Sequence, residues 1–277
     1  MALTVTHQIG STEVTILTDG AIAFPAQVFP EAGLGTGEAP PESGVTRTNF
    51  NAVLIREGGR TVLVDAGPRD LFGPDCGNLP KALAEAGAAP ADIDRIFATH
   101  LHPDHIAGMI DAEGRAAFPN AELAVLSAER DFWLQNSYFA AADQQLRDWQ
   151  NLAQAVLDAY ADRLVVLAPE AEIAPGLTGL PLPGHTPGHS GWRLDSDGQT
   201  LIHAGDIVHA QALQLPDPEI GVVFDLDAEA ARAARRRMLD MLAADDLLFT
   251  GGHFLHPAFN RVSREGSGFR LQPAGAA

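Results

Sequence analysis

Only one cysteine, Cys76, occurs in the chain, so no disulfide can form within it. Nothing else in the sequence asks for an oxidising compartment. Lysine is equally scarce: Lys81 stands alone beside 17 arginines, and the 18 basic residues face 36 acidic ones. The resulting net charge of −18 repels phosphate backbones and argues against nucleic acid as a partner. Long apolar runs are missing as well. No stretch approaches the ~18 continuous apolar residues of a membrane span, so no membrane partner is expected. The opening residues, Met1 to His7, carry neither a basic segment nor an apolar run, so no signal peptide and a cytoplasmic location are expected. There is no low-complexity linker and no short-period repeat. What is present, 46% hydrophobic and 19% charged residues, is the balance of a globular enzyme with room for a large core.

The most informative stretch is Thr99-His100-Leu101-His102-Pro103-Asp104-His105. It places three imidazoles and one carboxylate within six residues, His100 to His105. Neutral imidazole is the commonest metal ligand, and imidazole with carboxylate suits zinc and its first-row neighbours. The apolar residues before it read as a buried strand over Ile93–Ala98. If the extended form persists, His100 and His102 point to one side, because strand side chains alternate. Pro103 then breaks the strand. Asp104 and His105 open a helical turn that faces back toward the two histidines. One short turn could thus serve two adjacent metals.

Around this cluster the pattern alternates between strands and helices. Strands are expected at Thr4–Ile9, Glu13–Leu17, Phe50–Arg56, Thr61–Asp65, Glu122–Leu126, Leu164–Leu167, Glu172–Ile173, Leu177–Leu182, Gly191–Leu194, Thr200–Ala204 and Leu247–Thr250. Helices are expected over 80–87, from a Ser127 cap to about Asn136, over roughly Ala141–Ala161, and over Asp225–Leu242. Residues 20–44, rich in Gly, Pro and Ala, read as a long surface loop and a candidate lid. Gly33 to Gly37 within it mimics a phosphate loop only superficially, since no strand feeds it and Pro40-Pro41 follow. Arg232, Arg235, Arg236 and Arg237 read as a solvated helix face. His7 is expected to be exposed. The two strand-then-helix halves suggest a duplicated layer architecture.

Three more ligand-type residues each follow an expected strand beside a glycine: His185 in Pro-Gly-His-Thr-Pro-Gly-His, Asp206 in His-Ala-Gly-Asp, and His253 in Thr-Gly-Gly-His. Ligands at the carboxyl ends of strands are the usual placement in layered α/β sheets. These segments, in this order, resemble the metallo-β-lactamase fold superfamily, with the resemblance running from Asn49 to about Pro257. It implies a four-layer αββα sandwich and one domain over residues 1–277. It further implies two divalent metal ions per chain, zinc first, with manganese, iron or cobalt as alternatives. His100, His102 and His185 would hold one metal. Asp104, His105 and His253 would hold the other, and Asp206 would bridge both. Asp65 and His189 would brace the ligands. A homodimer is the assembly that relatives suggest, although no heptad or apolar patch marks an interface.

Within the superfamily the chain looks most like hydrolases related to methyl parathion hydrolase and the dinuclear lactonases. The supporting segments are Gly205 to His209, Gln214 to Pro218, and the arginine-rich helix. The implied chemistry is attack by a metal-bridging hydroxide on small lactones or aryl esters, with organophosphate triesters as a side activity. Asp104 would shuttle the proton. Quorum-quenching lactonases place a tyrosine three residues after the bridging aspartate. Here that position is His209, and the chain's only tyrosines, Tyr138 and Tyr160, fall in expected helices. His209 is therefore the candidate replacement beside Asp104 and Asp206. Phe24, Phe29, Phe72, Leu213, Phe224 and Phe254 are candidate pocket walls, and His256 a further one. They favour a small, ester-like substrate. The alternative within the same fold is a mononuclear iron enzyme of the persulfide dioxygenase type.

Overall fold

Residues 52–55, Ala-Val-Leu-Ile, form an apolar run with no polar alternation, the pattern of a strand covered on both faces. In the computed structural model, which describes residues 3–33, 45–256 and 258–274, this run sits inside a long strand. Val53 and Ile55 face a second sheet, while Ala52 and Leu54 face a layer of helices.

The first seven-stranded sheet is built in chain order. Its strands are β1 (Thr4–Ile9), β2 (Thr12–Pro25), β3 (Val45–Glu57), β4 (Arg60–Val64), β5 (Arg95–Ala98), β6 (Glu122–Leu126) and β7 (Leu164–Leu167). The second half supplies the other sheet, also of seven strands. Here β8 (Glu172–Ala174), β9 (Leu177–Pro181), β10 (Ser190–Ser196), β11 (Gln199–His203), β12 (Leu248–Thr250), β13 (Asn260–Glu265) and β14 (Gly268–Pro273) lie side by side. The helices are α1 (Leu79–Glu85), α2 (Pro103–Ile106), α3 (Ser127–Trp133), α4 (Asn136–Phe139), α5 (Gln144–Ala159), α6 (Gln211–Gln214) and α7 (Ala228–Ala244).

Three apolar layers hold this together. Leu63, Ile96 and Leu123 meet α1, α3 and α5 on one outside. Val62, Phe97 and Ala124 meet Trp192, Leu194 and Leu201 between the sheets. Ile202, Phe249 and Val262 meet Met238, Leu239 and Leu242 of α7 on the other outside. The result is an αββα sandwich. In each sheet some neighbours are parallel: β4 with β5, β5 with β6 and β6 with β7 in the first, β11 with β12 in the second. The loops leaving β4, β5, β11 and β12 carry Asp65, the histidine cluster, Asp206 and His253 respectively.

The structure departs from the sequence reading in places. Residues 20–25 belong to β2, paired with β3 from Gly20↔Phe50 to Pro25↔Val45, so they are strand and not loop. A register shift between Thr18 and Gly20 lets the hairpin bend there, which disguises the period. Residues 26–33 are a short 3-10 turn followed by further turns, in keeping with the expected loop, and 34–44 lie outside the described residues. Ser127 does not cap α3: Leu126 occupies that position, and no side chain caps the helix. Helix α5 starts at Gln144, behind an Asp143 carboxylate that accepts from the Leu146 N–H at 2.8 Å. The β13–β14 hairpin was not expected, because Val262 alone is apolar among residues 260–265. Arg235 is not solvated but wholly buried, whereas Arg236 and Arg237 are exposed. It lies on the stripe Ala231, Arg235, Met238, Leu242 that α7 turns inward. His7 is half-buried, its ring 5.1 Å from Phe259. Among the described residues, no helix is long and apolar enough to cross a membrane.

Candidate metal centre

Strand β5 ends at Ala98, and Pro103 sits at the first turn of α2, where its missing N–H costs nothing. The intervening chain turns His100 and His102 to the same side. His100 Nε2 lies 3.1 Å from His102 Nδ1, which lies 2.9 Å from His185 Nε2. A second group gathers next to it. His105 Nε2 is 3.1 Å and His253 Nε2 is 2.8 Å from Asp206 Oδ2, while the Asp104 carboxylate is 3.6 and 3.5 Å from the same two nitrogens. Asp206 Oδ2 also lies 3.7 Å from His100 and 3.5 Å from His185. One carboxylate oxygen therefore stands between two ligand-type groups.

The outer nitrogens are committed elsewhere, which fixes the tautomers. His185 Nδ1 donates to Asp225 at 2.8 Å, His105 Nδ1 to Asp65 at 2.8 Å, and His253 Nδ1 to the Asn49 carbonyl at 2.9 Å. His100 Nδ1 lies 3.1 Å from Thr99 Oγ1, which donates onward to Asp65. The Nε2 atoms of these four rings thus point inward. Burial drives the pKa of His100, His102 and His185 well below the usual imidazole value, so all three are neutral. Neutral lone pairs converging at about 3 Å repel unless a cation lies among them. The buried Asp206 Oδ1 has no hydrogen-bond partner either. The donor set fits two divalent cations: His100, His102 and His185 could hold one, and Asp104, His105, Asp206 and His253 the other.

The two groups differ in protonation. Burial opposes charge on His105 and His253, but the Asp206 and Asp104 carboxylates outweigh it and raise both pKa values, His105 well above its usual range. Burial disfavours the Asp206 carboxylate too, yet His105, His253 and His100 pull its pKa well below the carboxylate range. In the metal-free protein at neutral pH, His105 holds a proton that a cation must displace, and His253 is shifted the same way. The imidazoles of the other group have none to lose. Metal uptake by the second group is therefore expected to release protons and to tighten as pH rises through neutrality. Calorimetry in buffers of different ionisation enthalpy checks this. Uptake of two equivalents with no buffer dependence would contradict it.

Several braces were not recognised as such in the sequence. Glu129 is wholly buried and accepts from the Leu101 N–H (2.8 Å), Trp133 Nε1 (2.7 Å), Thr186 Oγ1 and the Gly188 N–H (3.2 Å). It ties the His100–His105 loop to the His185–His189 loop. At sequence level it was one more acid in a helix's first turn. Asp225 lies just before α7 instead of within it, free to reach His185. Asp65, which the sequence did mark as a brace, adopts φ +57°, a strained conformation for a non-glycine residue. From there it accepts from the Thr99 N–H and Oγ1 and from His105. His189, expected as a brace, donates from Nδ1 to the Leu182 carbonyl at 2.7 Å, and its Nε2 accepts from the Asp206 N–H at 2.8 Å. Glycine beside the ligands is demanded by close approach. A Cβ on Gly205, whose φ is +54°, would lie 2.4 Å from His189 Nε2, and one on Gly252 would lie 2.7 Å from Asp206 Oδ1.

A pocket of about 410 Å³ opens onto His102, Asp104, His185, Asp206 and His209. Its walls include Phe24, Leu71, Phe72, Trp149, Leu152 and Phe224, with Arg69, Gln145 and Asp148 as polar members. Trp149 was not anticipated. It lies on α5, with its ring 4.9 Å from His102 and 6.1 Å from Phe224. Four expected pocket members lie elsewhere. Leu213 and Phe29 pack behind Phe24 with Val222. Phe254 is buried edge-on against Phe249 beneath α7, because the chain dives inward after His253. His256 is half-buried with Nε2 3.1 Å from Thr18 Oγ1. His209 does line the pocket. Its Nε2 is 3.3 Å from Asp206 Oδ2, its ring stacks on His253 at 4.5 Å, and its buried Nδ1 has no partner. His203 stacks on Trp192 at 5.2 Å, away from the pocket. Tyr160 is buried and donates to the Met109 carbonyl.

A sequence model of the metallo-β-lactamase superfamily matches residues 45–253, three quarters of the chain. The chain belongs to this superfamily. Two structures of superfamily type overlay it closely: AidC, a dizinc quorum-quenching lactonase in complex with a product, at TM-score 0.89 and 26% identity over 99% of both chains; and the hydrolase AbOPH at TM-score 0.88 and 26% identity, over 99% of this chain and 98% of that one. Among curated relatives, an N-acyl homoserine lactonase of a Bacillus species is 25% identical over 62% of this chain and 60% of its own length. A probable metallo-hydrolase of Mycobacterium tuberculosis is 25% identical over 46% of this chain and 40% of its own length. The match thus spans between two fifths and three fifths of these curated relatives.

Proposed function

We propose that this metallo-β-lactamase superfamily member is a hydrolase requiring two divalent metals, most readily zinc. In this reading one domain acts on small lactones or aryl esters. Organophosphate triesters, the substrates of methyl parathion hydrolase-like members, are a further class. The observation that carries the proposal is Asp206 Oδ2, set within 3.7 Å of five imidazole nitrogens between two ligand groups, at the floor of an apolar pocket. Cations held there would acidify water and polarise the carbonyl or phosphoryl group under attack. No Ser or Cys nucleophile is needed. Cys76 is half-buried, its thiol pushed up to about 11 by burial and by Asp19.

The chain's own residues divide the remaining work. The aromatic walls exclude water and hold an uncharged acyl or aryl group. Burial raises the pKa of Asp104, against the pull of His105 and His253. Its carboxylate lines the pocket beside the ligand groups, placed to accept a proton from the attacking water and return it to the leaving oxygen. His209 Nε2 is placed to donate to the oxyanion, the part that a tyrosine plays in the resembled lactonases. The His209→Phe variant is expected to lower kcat on lactones by about 10²-fold with little change in KM. Unchanged turnover removes His209 from the mechanism.

The overall test is a panel of lactones, aryl acetates and phosphotriesters, assayed with protein reloaded with two equivalents of zinc and again after chelation. Hydrolysis that survives chelation, or no hydrolysis of any panel member, would sink the proposal. Asp104, His105, Asp206 and His253, assembled as a second ligand group, favour it over the mononuclear iron oxygenase reading. Substrate-dependent oxygen consumption would reverse that preference.

A further inference from the structure

Arg235 is a buried cation on a helix face that is otherwise apolar. Its neighbours on that face are Ala231, Ala234, Met238, Leu239 and Leu242. Taking a guanidinium out of water is costly, and an apolar residue of similar volume would pack the helix equally well. The side chain must therefore be retained for what its fork holds. Nε donates to the Ile207 carbonyl, and Nη1 donates to the Pro218 carbonyl at 3.0 Å. Nη2 lies 3.7 Å from Asp225 Oδ2, the carboxylate whose other oxygen receives His185 Nδ1. All three anchor points lie on residues 206–225, which contain no strand and only the single turn of α6. With no sheet ladder to fix it, this segment carries Asp206, His209, the pocket residue Phe224, and Asp225.

We infer that Arg235 is a positioning residue for the metal centre: its guanidinium holds two carbonyls of the 206–225 segment by hydrogen bonds and faces the Asp225 carboxylate as an ion pair at 3.7 Å, and so sets Asp206 from one side and His185, through Asp225, from the other. The inference rests on the two-metal reading above. Arg235 touches neither the pocket nor any ligand atom. Its planar fork suits the task, because a lysine ammonium is a single point charge that cannot span both carbonyls and the carboxylate. Burial lowers the guanidinium pKa to about 10, which still leaves it charged at neutral pH. The metal held by His100, His102 and His185 is the one that depends on the clamp most, since only that group is reached through Asp225.

The test compares wild type, Arg235→Met, Arg235→Lys and Leu242→Ala. Leu242 lies on the same buried face of α7 and its side chain has no polar atom with which to hold the segment, so its truncation reports loosened packing without loss of the guanidinium's bonds. Each protein is loaded with two equivalents of zinc and titrated with a competing chelator, with far-ultraviolet circular dichroism followed in parallel. Arg235→Met is expected to give up one equivalent at about 10- to 100-fold lower chelator than wild type, the loss usual when a ligand's supporting partner is removed. Arg235→Lys should fall between the two, and Leu242→Ala should match wild type. If Arg235→Met does not fold, Arg235→Lys decides by the same readout. Equal shifts in Arg235→Met and Leu242→Ala, or none in a folded Arg235 variant, would overturn the inference. Wild type that takes up no zinc pair sinks the metal-centre reading itself, an outcome distinct from the ratio between variants.

Discussion

Asp206→Asn is expected to lose both metals and at least about 10³-fold in turnover, the equivalent of several kcal/mol of lost cation chemistry. The substitution keeps the shape and removes the charge. Asp206 Oδ2 is the atom the two ligand groups share, lying 2.8 to 3.7 Å from five imidazole nitrogens. In its place, an amide nitrogen or a neutral oxygen would face those rings. The group of Asp104, His105 and His253 would lose the strongest charge that draws a cation toward it. Supporting residues cost only about 10- to 100-fold when removed, so the size of the effect separates a shared ligand from a brace. Metal content by elemental analysis and turnover on the preferred ester are the two readouts. A variant that retains two metals and turns over within tenfold of wild type would remove Asp206 from the centre of the proposal.

The second large effect falls on stability. Glu129→Ala is expected to destabilise the fold by about 4 kcal/mol or more, because several buried donors are orphaned at once. Replacing a buried ion pair by apolar residues is often neutral, but that holds only when both partners are replaced. Here two of the donors are the backbone N–H groups of Leu101 and Gly188, which no side-chain change removes. Burial raises the pKa of Glu129, against the pull of Thr186, Leu101, Trp133 and Gly188. Denaturant unfolding of the metal-free variant measures the loss without the contribution of bound metal. A change below about 1 kcal/mol would show that the four bonds are dispensable.

The candidate ligand set was readable before any coordinates because its members are chemically conspicuous, and the fold brings them within reach of one another. Histidines at His100, His102 and His105, with Asp104 among them, crowd into one turn, and glycines flank the distant His185, Asp206 and His253. The αββα layers were implied by the resemblance that the same segments carry, and the structure bears this out, with residues 52–55 covered on both faces. The pocket was legible only in part. Phe24, Phe72 and Phe224 line it, but Leu213 and Phe254, no less apolar, are buried behind it, because hydrophobicity does not say which side of a wall a side chain faces. Trp149 was invisible for a different reason: it comes from α5, a helix whose distance from the ligand loops along the chain says nothing of its distance in space.

The sequence by itself determined which atoms could bind cations, and the strand ends from which they come, since ligand chemistry and strand period are local properties. Only the tertiary structure decided what holds those atoms in place. Glu129, Asp225 and Arg235 are ordinary charged residues in their own helices and loops. Each acquires its role because folding carries it out of water and against polar groups up to 59 positions away, where an unmet hydrogen bond is costly.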